Sequence, residues 1–280
     1  MSRSASRSRL KLPMRAPERL DVTGTSLAER RKTFDDVAEL YERFRPGYPG
    51  QLADDVVWLS GIPPRGRILE IGCGSGKASI LFAERGYRVL CLEPGLNFVR
   101  LAKEKLAAFP DARVEPCTFE EWRLEESALD LVIAAQSFHF IEPVSGLSKV
   151  ARALRAGGAF AAFANHLSAA TRRFTVACRK RMRDMRRRWR DSIWQQVLKT
   201  GSTRRACSRR VVMTRYRWQA TYTATEYVGL METQSHHRLL PRDQRASLLQ
   251  AIHDAITGLG GSFTVDYATR LHLAKRRVTA

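Results

Sequence analysis

The chain has 280 residues, which is enough for one α/β domain with a small cap. Hydrophobic residues make up 44% of the chain, so a packed core is expected and wholesale disorder is not. No apolar run approaches the roughly 20 residues that span a bilayer, and residues 1–10 lack the apolar stretch of a secretory signal. We therefore expect a cytoplasmic protein without a membrane partner.

The formal net charge of +20 is concentrated in two segments of the chain. Residues 1–32 hold 9 Lys and Arg against 3 Asp and Glu, and residues 172–217 hold 17 against 2. The rest of the chain is therefore close to neutral, so the high pI does not by itself indicate a nucleic-acid-binding body. We predict a disordered basic tail over 1–32 and an Arg-rich cap or insert over 171–210.

Three interpretations of the Arg-rich segment 171–210 stay open. It is a helical cap with a solvated basic face, a segment read out of frame, or a basic patch for RNA, DNA or an acidic substrate. In the last case Trp189 and Trp194 would stack on bases. The flanking segments, 33–170 and 211–280, are expected to form the main domain.

The predicted elements begin with two helices. Residues 34–44 carry apolar side chains at helical spacing, which predicts an amphipathic helix. The run Arg45–Pro49 ends it, because Pro and Gly interrupt helices. A second helix is predicted over 52–59.

From Arg67 onward the pattern alternates between strands and helices. The predicted strands cover 67–71, 88–92, 113–117, 129–134 and 159–164, and the predicted helices cover 78–85, 97–109 and 144–154. This alternation predicts a Rossmann-like, doubly wound and mostly parallel α/β sheet with right-handed crossovers. A helix near 243–256 follows, and the alternating run 263–273 predicts one long strand or a strand pair, giving an antiparallel C-terminal strand beside a small helical cap.

Cysteine and histidine spacing argues against a metal site. The five cysteines are odd in number and no pair has metal-ligand spacing, so we expect reduced thiols, mostly in the core. His236 and His237 have no Cys or carboxylate at ligand spacing, and we expect them to lie in a solvated loop.

A glycine motif, Leu69 to Gly76 (LEIGCGSG), follows the first predicted strand and opens a helix. Dinucleotide sites use G-x-G-x-x-G, but here the third glycine comes one residue early and Lys77 takes its place. Glu70 would repel a pyrophosphate, whereas it would attract the cationic amino end of S-adenosylmethionine. Glu93 ends the second strand, where acids accept hydrogen bonds from ribose hydroxyls. The motif therefore favours S-adenosylmethionine over NAD.

These stretches together resemble the class I S-adenosylmethionine-dependent methyltransferases, in the small-molecule branch that includes trans-aconitate methyltransferase-like proteins. The resemblance runs from Phe34 to Arg277, through ILEIGCGSGKAS, LEPG, LDLVIAAQSFHFIEP and the closing YATRLHLAKR. The set in this order is specific for the fold and the cofactor and poorly specific for the substrate.

The resemblance implies roles for individual residues. The implied cofactor-binding residues are Phe34, Tyr41, Glu70, Gly72, Cys73, Gly74, Gly76, Glu93, Pro94, Thr118, Phe119, Glu120, Gln136 and Ser137. Gln136 and His139 are the implied catalytic candidates. Phe140 stands where a Trp is more usual, and the segment 171–210 does not match the cap of the family, which leaves the acceptor pocket undefined.

The implied activity is transfer of a methyl group to an oxygen, nitrogen or carbon atom of a small molecule. Two alternatives stay open: an RNA or DNA methyltransferase that uses the basic insert, and a non-catalytic S-adenosylmethionine-binding protein. The fourth strand ends in Ala134-Ala135-Gln136 and not in an Asn-Pro-Pro-Tyr-type motif, which disfavours the nucleic-acid alternative.

Overall fold

The computed structural model of the protein describes residues 35–167 and 211–277. The predicted tail over 1–32, the Arg-rich segment 171–210 and Phe34 therefore lie outside the described residues. Within the described ranges, no helix is both long and apolar enough to cross a membrane.

Two helices precede the sheet. Helix α1 is Ala38–Phe44 and helix α2 is Gly50–Ser60. Helix α1 begins later than predicted, because Val37 has a non-helical backbone (φ −123°, ψ 24°). Helix α2 ends at Gly61, whose left-handed φ of 65° lets its N–H bond to the Val57 carbonyl at 3.1 Å.

A seven-stranded sheet forms the centre of the molecule, with strand order β3-β2-β1-β4-β5-β7-β6. Strands β1 to β5 pair in parallel, and β7 runs antiparallel between β5 and β6. This confirms the predicted Rossmann-like, mostly parallel sheet with an antiparallel C-terminal strand. The first five strands are Arg67–Ile71, Arg88–Leu92, Ala112–Glu115, Leu129–Ala135 and Leu154–Leu167, and the helices between them are α3 Ser79–Ala83, α4 Leu96–Leu106 and α5 Pro143–Ala153.

Strand β5 begins earlier than predicted. We expected a helix to reach Leu154 and to be closed by Gly157-Gly158, but both glycines lie within the strand. A Cβ on Gly158 would lie 3.0–3.1 Å from the carbonyl oxygens of Arg155, Asp130 and Leu129. Gly158 therefore serves a close backbone approach at the β4–β5 irregularity, and Gly157 has a left-handed φ of 77°, so neither closes a helix.

The C-terminal part contains a strand that the sequence analysis missed. Strand β6 is Val212–Thr223, followed by helices α6 Ala224–Glu232, α7 Ser235–Arg238 and α8 Arg242–Thr257, and by strand β7 Ser262–Lys275. Arg215 and Arg217 were counted as the end of the Arg-rich segment. They occupy exposed positions of β6 that alternate with half-buried Tyr216 and Trp218, which is the period of a strand.

Apolar side chains cover both faces of the sheet. One face packs Ile68, Cys91 and Leu131 against helices α2 and α3, and the other packs Leu69, Ile71 and Val132 against helix α5. Burial on both faces is expected for parallel strands. Glu70 interrupts this pattern, because it is a carboxyl group with no solvent exposure next to the last residue of β1.

Candidate functional site

The turn after β1 has the backbone shape that its glycines allow. Gly72 and Gly74 have φ of 63° and 57°, in the left-handed region that strains other residues. A Cβ on Gly72 would lie 2.9 Å from the Ser137 Cβ, so packing also requires glycine there. A Cβ on Gly74 would meet no atom nearer than Phe98 Cδ1 at 4.0 Å. The turn therefore leaves space beside Gly74.

Glu93 joins this turn to the end of β2. Its side-chain oxygens accept hydrogen bonds from the backbone N–H groups of Gly74 at 2.8 Å and Gly95 at 2.9 Å. The residue is 8% exposed. These bonds hold the carboxylate at the carboxyl end of β2, beside the glycine turn. Pro94, which follows, is half-buried.

Glu70 is buried, and no cationic side chain pairs with it within residues 35–167 and 211–277. The Ser79 hydroxyl donates to Oε2, while Oε1 has no hydrogen-bond partner among the described residues. Burial raises the pKa of Glu70 to about 8, and the negative charge of Glu93 adds to the rise. The carboxyl group is therefore mostly protonated at neutral pH, and an incoming cation would favour its ionised form.

Two further residues of the glycine motif, Cys73 and Gly76, have structural roles within the fold. Cys73 is 7% exposed within the core, and the hydrogen bond with Cys91, followed by burial, raises the pKa of its thiol. Gly76 donates its N–H to the Cys73 carbonyl at 3.0 Å, which closes the turn. The predicted role of Cys73 and Gly76 is thus a role for the loop backbone, since the Cys73 side chain belongs to the core.

The segment after β3 holds Thr118, Phe119 and Glu120. Thr118 donates its hydroxyl to Glu121 at 2.7 Å, and Glu120 is exposed. The Phe119 ring is 3% exposed and stacks on Trp122 in the core, with ring centroids 6.1 Å apart. If Phe119 contributes to binding, it does so through its main chain.

Lys149 holds this segment in place, and sequence reasoning missed it. Its ammonium group donates to the carbonyl oxygens of Phe119, Glu120 and Trp122 at 2.7, 2.9 and 2.6 Å. A helical lysine 27 to 30 residues away gives no local signal for such a role.

Gln136 and Ser137 follow β4 at the same edge of the sheet. Gln136 has φ of 57°, a strained conformation for a residue with a side chain. Its side-chain oxygen faces the hydroxyl of Tyr48 at 3.3 Å and the N–H of Asn165 at 3.4 Å. The Ser137 hydroxyl donates to the Ile71 carbonyl and so ties β4 to β1. Ser137 therefore helps to fix the position of the glycine turn relative to β4.

His139 lies in a short 3₁₀ turn, Phe138–Phe140. The residue is half-buried, and its ring centroid is 4.1 Å from that of Phe140. His139 therefore lies in the segment that follows β4, three residues after Gln136.

Helix α1 covers the glycine turn. The Tyr41 ring packs edge-on against Phe98 at 5.1 Å. Glu42 forms ion pairs with Lys77 at 3.2 Å and with Lys105 at 2.6 Å. Just before the helix, Asp35 accepts a hydrogen bond from the backbone N–H of Asn97 at 3.0 Å. The predicted closure by Tyr41 agrees with this placement and stays a prediction.

A group of aromatic residues next to this helix was also missed. We call Arg45 with Tyr41, Tyr48, Tyr222 and Tyr267 the tyrosine cluster. The hydroxyls of Tyr222 and Tyr267 lie 3.1 Å apart, and the Arg45 guanidinium carbon lies 5.1 Å from the Tyr41 ring centroid. A pocket of about 250 Å³ opens beside the cluster, lined by Gly47, Tyr48, Pro49 and Trp218. The sequence analysis had treated Arg45–Pro49 only as a helix breaker.

The histidine pair differs from expectation. His237 is 1% exposed, and its Nδ1 lies 2.8 Å from the Met231 carbonyl oxygen, so the expected solvated loop is wrong at this residue. His237 lies in a short helix, Ser235–Arg238. Among the described residues, no group of three or more His, Cys, Asp or Glu side chains could hold a metal ion.

Comparison with known sequences identifies one matching segment. Residues 68–158 match the family described as the methyltransferase domain. Uncharacterized methyltransferases of Mycobacterium tuberculosis and Mycobacterium bovis are 34% identical over 126 residues, covering 45% of this chain and 49% of each relative. One from Schizosaccharomyces pombe is 28% identical over 130 residues, with the same coverage. The chain spans about half the length of the curated relatives it matches.

Comparison with solved structures extends over more of the chain. A proposed type II methyltransferase from Anaeromyxobacter dehalogenans aligns with a TM-score of 0.56 and 24% identity, over 82% of this chain and 97% of that one. An N-methyltransferase from Haemonchus contortus, solved with phosphomonomethylethanolamine and S-adenosylhomocysteine, aligns with a TM-score of 0.51 and 13% identity, over 90% and 60%. These likenesses show a shared fold.

Proposed function

We propose that this chain, which carries a class I methyltransferase domain over residues 68–158, transfers a methyl group from S-adenosylmethionine to a small molecule. The observation that carries the proposal is the pairing of two acids with the glycine turn. Glu70 and Glu93 end adjacent parallel strands, and ligands of open α/β sheets bind at the carboxyl ends of such strands.

The residues at this edge fit the cofactor. The space beside Gly74 admits a ligand close to the backbone. Glu93 follows β2 directly, and an acid at this place in an open α/β sheet suits ribose hydroxyls. The unpaired Oε1 of buried Glu70 suits a cationic amino group, directly or through water. A pyrophosphate would meet two acids here, so the site is unsuited to a dinucleotide.

The main catalytic task of the protein is alignment and exclusion of water. When bound, S-adenosylmethionine supplies a methyl group that its sulfonium charge already activates. Helix α1 closes one side of the turn through Glu42 and Tyr41, which limits access of water. Gln136 is held by Tyr48 and Asn165 and so presents a fixed polar group near the edge of β4.

His139 is the candidate base of this site. A base is needed only where the acceptor atom must lose a proton before or during attack. Gln136 has no proton-accepting role at neutral pH, because an amide does not ionise, so its proposed role is to position the acceptor. We retain both residues as catalytic candidates on these separate grounds.

The choice of a small acceptor is supported by the structural neighbour from Haemonchus contortus, whose structure holds a small phosphorylated amine with S-adenosylhomocysteine. A nucleic-acid acceptor would depend on the Arg-rich segment, which lies outside the described residues. The cytoplasmic location and the lack of a membrane partner stay predictions from sequence.

The proposal is tested by calorimetric titration of the purified chain with S-adenosylmethionine and, separately, with NAD. We expect binding of the former alone. Transfer of labelled methyl from S-adenosylmethionine is then assayed with a fractionated small-molecule extract, with tRNA and with DNA. Label in the small-molecule fractions supports the proposal, whereas label in salt-sensitive tRNA or DNA products supports the nucleic-acid alternative. Cofactor binding without transfer to any fraction would favour a non-catalytic protein.

A further inference from the structure

Arg45 is a positive charge without a carboxylate partner. Its Nε donates to the Thr233 hydroxyl at 2.7 Å and its Nη2 donates to the Thr233 carbonyl at 3.0 Å. Both partners are neutral, and no ion pair joins Arg45 to an acid among the described residues. The side chain is half-buried, where a guanidinium usually has an anionic partner.

The two hydrogen bonds to Thr233 orient the guanidinium but use only part of its hydrogen-bond donors. An arginine has five N–H donors in a planar fork, and two are used here. Thr233 has no solvent exposure, and its own hydroxyl donates to the Leu230 carbonyl at 2.7 Å. The three remaining donors therefore belong to a rigidly held group, which is the arrangement that suits bidentate recognition of carboxylate or phosphate.

The surroundings of Arg45 are hydroxyl-rich. Its charge acts on all four tyrosines of the tyrosine cluster, where it opposes the rise in pKa that burial causes. Of the hydroxyls of Tyr222 and Tyr267, which lie 3.1 Å apart, one donates to the other, so the pair retains one free donor. Neutral hydroxyl donors add hydrogen bonds to an anion without cancelling the arginine charge.

The cluster also lies between the glycine turn and the pocket. On one side, Tyr41 is close enough to Glu70 and Glu93 for their charges to act on it. On the other side, Trp218 lines the pocket of about 250 Å³ and stacks on Tyr267 with ring centroids 4.4 Å apart. The pocket therefore adjoins the tyrosine cluster through Tyr48, which belongs to both, and through Trp218.

We propose that Arg45, with the free hydroxyl donor of the Tyr222–Tyr267 pair, binds an anionic group of the methyl acceptor. The proposal rests on the proposed function, since it names the acceptor class of the same site. The anion is a carboxylate or a phosphate, which offer the same paired oxygens to the guanidinium. We expect an acceptor that carries this anionic group to bind and the neutral ester of the same acceptor not to bind.

The experiment first saturates the protein with S-adenosylhomocysteine, so that the cofactor site is filled. Succinate, inorganic phosphate and neutral dimethyl succinate are then titrated, and binding is followed by calorimetry and by the melting temperature. We expect at least one anion to bind and dimethyl succinate not to bind. The succinate and phosphate arms distinguish the two anion sources.

Variants identify the residue responsible. Arg45→Gln is expected to weaken anion binding by at least about tenfold, because hydrogen bonds to charged groups contribute about 1.5–3 kcal/mol. Arg45→Lys should retain part of the affinity, since it keeps the charge and loses the fork. Arg43→Gln is the matched control, because Arg43 is exposed on the same helix and the same charge is removed.

Cofactor affinity separates this inference from the proposed function. Unchanged S-adenosylhomocysteine binding in Arg45→Gln shows that the variant is folded. Equal anion affinity in Arg45→Gln and the wild type, or no anion binding to the wild type, would overturn the inference and leave the proposed function standing. If the wild type fails to bind S-adenosylhomocysteine, the proposed function fails, while anion titration of the unliganded protein still reports on Arg45.

Discussion

The glycine turn (residues 70–76 with 93–95) and the tyrosine cluster lie side by side but are built in opposite ways. The hydrogen bonds of the two acids in the turn join residues close in sequence: Ser79 bonds Glu70 across 9 positions, and Gly74 bonds Glu93 across 19. Bonds around the tyrosine cluster join distant parts of the chain. Tyr48 meets Gln136 across 88 positions, and Arg45 meets Thr233 across 188.

This difference separates what is fixed locally from what is fixed by topology. A strand, a glycine turn and the next strand already bring Glu70 and Glu93 together. The tyrosine cluster exists only because β7 inserts between β5 and β6, which brings Tyr222 and Tyr267 to the same sheet as β4. A fold of this kind can keep its turn unchanged while the other region varies, which is how one fold serves many substrates.

Glu93→Ala is the sharpest test of the local region, and we expect the largest effect from it. The change removes the bonds to Gly74 and Gly95 and two proposed bonds to ribose. At about 1.5–3 kcal/mol for each bond to a charged group, the Kd for S-adenosylmethionine should rise by about a hundredfold or more. Calorimetry measures it, and Glu115→Ala, an exposed acid on β3, is the control. Retained affinity in Glu93→Ala would remove the ribose role.

Gly72→Ala tests whether the turn depends on packing against β4 as well as on backbone conformation. Its φ of 63° and the 2.9 Å approach to Ser137 Cβ both oppose a side chain. Gly86→Ala has a similar φ of 77° with no atom within 4 Å, so it carries the conformational cost alone. We expect a loss of about 1–2 kcal/mol in the free energy of unfolding for Gly86→Ala and about 1–3 kcal/mol more for Gly72→Ala.

Denaturant unfolding of both glycine variants measures the difference. Equal losses would mean that the turn is set by backbone conformation only, and that Ser137 can move aside.

Glu70→Gln tests proton linkage in the turn. Because burial raises the pKa of Glu70 to about 8, the stability of the unliganded protein should be full below the usual value of 4.5 and should fall as the pH rises towards 8. The Gln variant should lose this dependence. Denaturant unfolding from about pH 5 to about pH 9 measures it.

The same carboxyl group should release a proton when a cationic ligand arrives. At neutral pH we expect S-adenosylmethionine binding to release up to about one proton in the wild type and none through this group in Glu70→Gln. Calorimetry in buffers of different ionisation enthalpy detects the release. An enthalpy that does not depend on the buffer in the wild type would show that Glu70 does not meet the amino group.

Glu42→Gln is expected to have the smallest effect, and it probes the helix that joins the two regions. Burial raises the pKa of Glu42, but the hydrogen bond from Lys105 and the charge of Lys77 outweigh burial and leave it below the usual 4.5. The ion pairs therefore contribute fully above pH 4.5 and are lost as the pH falls through the lowered pKa. We expect a several-fold rise in the Kd for S-adenosylmethionine.

Glu39→Gln is the matched control for Glu42→Gln, because Glu39 lies on the same helix as Glu42 and pairs with Arg100 of α4. The Glu39 side chain is 69% exposed. An equal change in both variants would mean that α1 does not close the site through Glu42.

The sequence by itself determined the parallel part of the sheet and the glycine turn at the carboxyl end of β1. The bounds of β1 and β2 were predicted as observed, because short apolar strands bounded by turn residues are local signals. The glycine motif and Glu93 were found for the same reason. Strand β6 was missed because the arginines at its exposed positions resembled the basic segment before it.

Only the tertiary structure decided what each polar group faces. The sequence places Glu70 on a strand, but only the fold buries it. Burial raises the pKa of Glu70, and the hydrogen bond from Ser79 of α3 opposes that rise. Ser137 reads as a pocket residue, but its hydroxyl ties β4 to β1. In the sequence, Arg45 belongs to a run that ends a helix. Only the fold shows that Thr233, and not an acid of the described residues, accepts its hydrogen bonds. Partners far apart in sequence leave no periodic pattern, so their pairing is decided by the order of strands in the sheet.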